Sequence, residues 1–398
     1  MLKSSRMSII FIVVLIDLIG FGIIIPILPH YSEIYFHANE FEIGVLIASF
    51  SFFQFLATPF LGRLSDRIGR KPVITSMLIV SFFAYLLYAF ATDYWVALFA
   101  RSVAGIGGGS ISAAQAYIAD VTEKRDRAKG MGLIGTAFGV GFVLGPFIGG
   151  ALSVYGFLVP NLAAAGFSLL AFLLAYFILD ESLQIKGEKT PKKSSLLNIE
   201  GYVTAFSRKE TGALITIFFI LTFSIANTYG TTPILGYRIL KLSDAQIGYV
   251  FGVIGLVTIF VQGYLIGILT KRFSERSLLY FGISVMTIGL LLIPQSNSLL
   301  LLILFFIITV FGLAILSPVI FSLISKAASP SEQGKVLGIN QSMGSLGRVL
   351  GPLWGGFAFN YFGYESPFIT AGAFTFITLF IGVIMLHTSL NQQDPAID

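Results

Sequence analysis

The chain has 398 residues, of which 56% are hydrophobic and only 11% charged, and it contains no cysteine. A water-soluble domain carries roughly 25% charged residues, so water is not the main solvent here, and disulfides and thiolate metal sites are excluded. The formal net charge of +5 follows the loops in which Lys and Arg fall, rather than a nucleic-acid-binding face.

Apolar runs long enough to cross a bilayer, roughly 17 to 25 residues each, recur along the whole length. They are expected at 8–29, 42–62, 73–91, 96–118, 130–152 and 157–179, then at 211–233, 244–269, 277–294, 299–325, 335–359 and 366–386. An unpaired backbone group in lipid costs several kcal/mol, and these runs are too long for barrel strands, so helices are the expected form. The fold class is an all-α membrane protein with twelve transmembrane helices, in two six-helix bundles related by pseudo-two-fold symmetry.

Lys3 and Arg6 ahead of the first run give it the look of a secretory signal. Its length, the presence of Asp17 and Pro26, and the lack of a small-residue cleavage site predict a retained first helix instead. With the N-terminus inside, every Lys and Arg except Arg101, Arg238, Lys241 and Arg348 falls on the cytoplasmic side, the bias that orients membrane helices. Both termini are therefore expected to be cytoplasmic, in a cell membrane of the bacterial inner type.

The one long hydrophilic connection, 181–210, separates an N-terminal bundle at 1–180 from a C-terminal bundle at 211–398. Residues 196–207 within it read either as an amphipathic helix on the membrane surface or as a flexible linker. The halves repeat at an offset of about 206. Gly141 to Gly150 (GFVLGPFIGG) and Gly347 to Gly356 (GRVLGPLWGG) agree at seven of ten positions, and Gly62 to Arg67 is echoed weakly by Gly267 to Arg272. Parallel repeats are a plan used by membrane carriers, with the substrate held between the repeats.

In the loop after the second span, Gly62, Asp66 and Arg70 stand four apart, beside Arg67. One helical face thus presents a small residue, an acid and a base. Such a face can approach another helix at Gly62, set Asp66 at that helix's positive N-terminal end and pair Arg70 with a nearby acid. This stretch, GRLSDRIGRKP, resembles the loop signature of the major facilitator superfamily. Leu98 to Gly107, with the intramembrane Arg101, resembles that superfamily's fourth-helix motif. The Gly-Pro segment with Gly141, Gly145, Pro146, Gly149 and Gly150 resembles its antiporter motif. Asp17 to Pro29 resembles the first-helix signature of drug:proton antiporters. The resemblance implies twelve helices, proton coupling and efflux of small molecules.

An ionised carboxylate in a span costs about 2.5 to 3.5 kcal/mol on insertion scales, so Asp17 must face an interior path, pair, or take up a proton. It is expected to bind a proton or a cationic substrate group in alternation; a structural Asp at a bend near Gly20 and Gly22 is the other reading. Arg101 keeps its charge at ordinary pH, and the resemblance implies that it tunes the proton site; helix pairing is the alternative. Asp120 is the expected partner of Arg70 in a gate. Gly132, Gly135 and Gly139 extend the small-residue surface of the fifth helix. Arg348 stands where the repeat has Phe142, and either lines the path or snorkels to an interface.

Gln54, Tyr85, Gln115, Tyr117, Asn227, Tyr229, Gln262, Asn340 and Gln341 are further candidates for the path, although such groups also pair helices. Gln54 resembles a second-helix Gln of tetracycline efflux proteins. The resemblance departs where those proteins carry acids: Ala84 precedes Tyr85, and 277–294 holds no acid. Tetracycline with its metal ion is therefore doubtful as a substrate.

The expected function is proton-coupled antiport of amphipathic, aromatic or cationic, small molecules by alternating access. A carrier of one metabolite, such as a sugar, nucleoside or siderophore, is the rival. The expected partners are the substrate, protons and lipid, with no nucleic acid, and the expected state is a monomer. No cofactor, metal or enzyme chemistry is expected: His30, His37 and His387 are scattered, no acids cluster, and no Gly-Lys-Ser/Thr nucleotide loop is present.

Overall fold

The computed structural model describes residues 2–122, 127–183, 203, 205–328 and 333–387. Among them every regular element is a helix. Most of the expected surface helix at 196–207 lies outside the described residues. The chain divides into two compact units, residues 1–193 with 233–255, and residues 194–232 with 256–398.

The first unit holds α1 (Leu2–Ile24), α2 (Leu28–Phe36), α3 (Glu40–Ile68), α4 (Arg70–Ala89), α5 (Tyr94–Gly108), α6 (Ile111–Val121), α7 (Arg127–Leu152) and α8 (Leu158–Ile178). The first apolar run is broken where Pro26 disfavours helix at the residue before it. The chain turns at 25–27 and restarts as α2, with a proline in its first turn, where the missing N–H costs nothing. Asn39 and Glu42 close a reciprocal capping box at the start of α3, and Asp93 accepts from the backbone of Trp95 and Val96 at the start of α5. Each cap contributes about 1 kcal/mol. The core of this unit gathers Ile10, Val13, Val14, Tyr117, Ile118 and Ala171.

The chain continues with α9 (Lys209–Ile234), α10 (Asp244–Phe260), α11 (Ile266–Arg272), α12 (Glu275–Leu292), α13 (Leu299–Ala327), α14 (Gln333–Phe362) and α15 (Ser366–His387), of which α9 and α11 to α15 build the second unit. The end of α9 and the segment through Gly255 group with the first unit. Two π-helical stretches, Leu235–Ile239 and Val261–Leu265, extend α9 and join α10 to α11.

Among the described residues, eleven helical stretches are long and apolar enough to cross a membrane. The expected span at 335–359 is a continuous helix of 30 residues, α14. It falls short on hydropathy because Asn340, Gln341 and Arg348 lie along it. Large apolar side chains such as Phe99, Phe177 and Leu300 face outward, as a lipid-contacting surface requires.

The repeat in the sequence becomes a repeated seam. In the first unit a Cβ built on Gly141 would stand 2.8 Å from Leu18 Cβ, one on Gly145 2.6 Å from Gly22 Cα, and one on Gly149 2.1 Å from Ile23 O. In the second unit a Cβ on Gly347 would meet the Phe223 backbone at 3.0 Å, one on Gly351 Phe223 O at 2.6 Å, and one on Gly355 Asn227 Oδ1 at 2.3 Å. Only glycine allows such approaches, which is why both Gly-Pro helices carry it every fourth residue. The opposite side of α7 is also tight: Cβ atoms on Gly150 and Gly248 would each lie 2.9 Å from the other residue's Cα.

Candidate transport site

The intramembrane charge of the first unit sits in two places. On α1, Asp17 accepts a hydrogen bond from Ser168 Oγ of α8 at 3.2 Å. The two helices come close there because Gly20 lies against the backbone of Ala164, 3.1 Å from a Cβ. On α5, Arg101 is 4% exposed, with its guanidinium carbon 5.0 Å from the centre of the Phe50 ring. Gly105, one turn further, lets α5 sit directly on the backbone of Phe50, and Phe21 packs on Phe50 with ring centres 4.5 Å apart. Tyr85 and Tyr88 are buried.

Arg101 Nε and Nη1 have no hydrogen-bond partner among the described residues. Gln54 donates its amide to Gly108 O at 3.0 Å, at the break between α5 and α6. Its side chain therefore holds a bent helix one and a half to two turns beyond Arg101. Gln115 is partly buried and Tyr117 fully buried.

At one end of this unit the loop motif forms a compact network. Arg70 Nη1 pairs with Asp66 at 2.5 Å and Nε with Asp120 Oδ2 at 3.0 Å, while Nη1 also donates to Ser65 Oγ at 2.7 Å. Gly62 makes only ordinary contact with Ser112, 3.6 Å from a Cβ, and Arg67 is exposed. Two features differ from the sequence expectation. Gly62 does not mark a tight approach, and Asp66 turns back to Arg70 instead of serving another helix's N-terminus. The acid at a helix N-terminus is Glu181, which accepts from the backbone N–H groups of Arg70 and Lys71 at 3.0 and 3.1 Å and so caps α4. Glu181 lies at the start of the stretch expected to be the linker, and the glycine before Arg70 makes room for it. Gly69 has φ +109°, and a Cβ there would strike the Glu181 carboxylate.

The opposite end holds a second charged cluster. Arg238 pairs with Glu33 at 2.9 Å and with Glu40. Tyr237 donates to Glu33 and stacks on His30 with ring centres 4.7 Å apart. His30 Nδ1 lies 2.7 Å from Asp244 Oδ1. The hydrogen bond with Asp244 holds the His30 pKa above its ordinary value against the opposing effect of burial, with the charges of Asp244 and Glu33 adding to it. Burial works against the Glu33 charge, yet the hydrogen bonds from Arg238 and Tyr237 bring its pKa below the ordinary value. The sequence signal for this cluster was Arg238 itself, an exception to the charge bias.

In the second unit, Asn227 is buried and donates to Pro367 O at 2.7 Å, so it ties α9 to α15. Asn340 is fully buried with both side-chain polar atoms unpartnered among the described residues. Gln341 and Gln262 are exposed, and Tyr229 is partly buried. Arg348 Nη2 donates to Ser345 of its own helix at 2.8 Å. Lys326 pairs with Glu275 at 2.7 Å, and Ser322 also donates to that carboxylate.

Apolar helices in numbers sufficient for a polytopic protein, a duplicated glycine seam, and a partly buried Asp and a buried Arg inside the spans are the features of a secondary transporter. The chain belongs to the Major Facilitator Superfamily, whose sequence profile matches residues 10–263 and 213–395. It is 32% identical over 356 residues to the tetracycline resistance protein, class C, of Escherichia coli, covering 88% of this chain and 89% of that one. It is 28% identical over 365 residues to multidrug resistance protein 2 of Bacillus subtilis (strain 168), covering 90% of each. Among solved structures, the human organic anion transporter MFSD10 (TETRAN) superposes with a TM-score of 0.70 at 24% identity, over 96% of this chain and 99% of that one.

Proposed function

We propose that this transporter is a proton-coupled exporter of amphipathic, drug-like small molecules, working as a monomer by alternating access in a bacterial inner membrane with both termini cytoplasmic. The observation that carries the reading is Asp17. It is an acid in the middle of an apolar span, held by one serine and joined to no cation in any ion pair of the described residues. A carboxylate so placed is costly while charged, and a proton or a substrate's cationic group relieves that cost in alternation. The names of the tetracycline and multidrug resistance relatives support efflux. Ala84 and the lack of any acid in 277–294 argue against the metal chelate of tetracycline as the cargo.

Within this reading, the Arg70 network closes the cytoplasmic end and the Arg238 cluster the external end. The proton gradient supplies the work. The test uses everted membrane vesicles with an imposed pH gradient, in which a panel of amphipathic compounds is screened for collapse of that gradient. Wild type is expected to respond to several compounds, and Asp17→Asn, present at equal amount in the membrane, to none. An undiminished response from Asp17→Asn would remove the coupling role.

A further inference from the structure

Away from the helix ends, the charged groups inside the spans and along α14 are one acid and two arginines: Asp17, Arg101 and Arg348. Neither arginine takes part in an ion pair among the described residues. Arg348 is answered only by a serine hydroxyl one turn away on its own helix. Arg101 is the more demanding case. Its guanidinium is charged at every accessible pH, its side chain is buried, and two of its nitrogens lack any partner. Uncompensated buried charge is strongly destabilising unless an opposite charge completes it. Asp17 does not supply that charge: it forms no ion pair with Arg101 among the described residues, and it accepts its hydrogen bond from Ser168 on α8.

The ring of Phe50 lies against the guanidinium, with Phe21 packed on it, so the open hydrogen-bonding positions of Arg101 adjoin an aromatic surface. We infer that the transported compound is an amphipathic aromatic zwitterion, with its anionic group, a carboxylate or sulfonate, taken by the planar fork of Arg101, its ring carried on Phe50 and Phe21, and its cationic group exchanged for the proton on Asp17. This inference rests on the proposed reading of Asp17 as the proton and substrate site.

The signs of charge favour a zwitterion over a simple cation or anion. A purely cationic cargo leaves Arg101 without a partner. A purely anionic cargo beside Asp17 attracts a proton to that carboxyl and so travels with the proton, which by linkage is the reverse of exchange. A zwitterion does neither. Its cationic end competes with the proton, and its anionic end is neutralised by the guanidinium.

Three related probes test this on the purified full-length protein: 2-naphthylalanine as the zwitterion, its methyl ester as the cation and its N-acetyl derivative as the anion. Binding is measured by titration at constant pH. In wild type the zwitterion is expected to bind about 10- to 100-fold more tightly than the ester, the range for a charge-assisted hydrogen-bonded pair. Arg101→Gln is expected to erase that ratio, leaving ester binding nearly unchanged, and Arg101→Lys to retain part of it. A structural role for Arg101 weakens all three probes together and leaves the ratio intact, which would overturn the proposal. So would equal binding of ester and zwitterion by wild type, a result that needs no variant. Failure of the proton reading is separately visible, as the expected binding ratios combined with Asp17→Asn vesicles that still dissipate a pH gradient.

Discussion

Lys326 Nζ stands 2.7 Å from Glu275 Oε1, and this pair is the charge-reversed counterpart of Asp120 and Arg70. Arg70 and Glu275 each open a helix, and Asp120 and Lys326 each stand one residue before the end of one. Each half thus closes the same corner with an ion pair, while the sign at each position is exchanged. Reversing Glu275 alone (Glu275→Lys) sets two cations together, and reversing Lys326 alone sets two anions together. An exposed pair is worth up to about 1 kcal/mol, so each single variant should lower vesicle transport about fivefold. The double variant Glu275→Lys, Lys326→Glu should recover most of it, and a double variant no better than the singles would deny the pair any role of its own.

The glycine seam makes a second, sharper contrast. Gly145→Ala forces a methyl group within 2.6 Å of Gly22 Cα, whereas a Cβ on Gly139 meets nothing within 4 Å. Overpacking costs about 1 to 3 kcal/mol, while alanine in an open helical position gains up to about 1 kcal/mol over glycine. Thermal unfolding in detergent should therefore place Gly145→Ala below wild type and Gly139→Ala at or above it.

His30 gives the cluster at the Arg238 end a pH dependence of known sign. Its pKa is raised in the folded protein by Asp244. The stabilisation is fully present below the free-histidine value of about 6.5 and is lost as pH rises through the higher folded value. The difference in unfolding temperature between wild type and His30→Gln should be largest at mildly acidic pH and close as the solution becomes alkaline. A constant difference would mean that protonated His30 does not hold the pair.

Asn227 separates helix pairing from substrate contact. Its amide is committed to Pro367 O, and interhelical hydrogen bonds of this kind contribute about 0.6 to 2 kcal/mol. Asn227→Leu should lower the unfolding temperature while leaving the order of preference among transported compounds unchanged. A reordered preference would instead place Asn227 on the substrate path.

Much of the fold was legible because lipid imposes its demands on long contiguous runs. The spans, the loop charges and the duplicated Gly-Pro segment all declare themselves in one dimension. The Arg70 to Asp120 contact was also within reach, since a base opening one helix needs an acid, and Asp120 is the polar residue closing another. The capping by Glu181 was not, because a side chain 111 residues away from Arg70 leaves no periodic trace. Asp66 was misassigned for a related reason: the spacing that could serve a neighbouring helix serves Arg70 on the next turn equally well. The break at Gly109 and Ser110 and the π-helical stretches escaped notice since hydropathy is blind to a local change of helical pitch. Nor could His30, Glu33, Glu40 and Asp244 be gathered around Arg238 by pattern, being ordinary polar residues of separate elements.

The backbone contact of Gly145 with Gly22 bears on what the protein does when it is idle. With two helices meeting main chain to main chain, and Pro146 Cδ 3.1 Å from a Cβ on Gly22, no side chain spaces them apart and no thread of water can run along that groove. A carrier that ties its cargo to protons must not let protons slip past unaccompanied, since each one dissipates the gradient of the whole cell. On the proposed proton-coupled reading the seam would serve as insulation as well as packing, and an alanine there should then be felt first in cells expressing the protein without any compound to export, as slower growth in acidic medium.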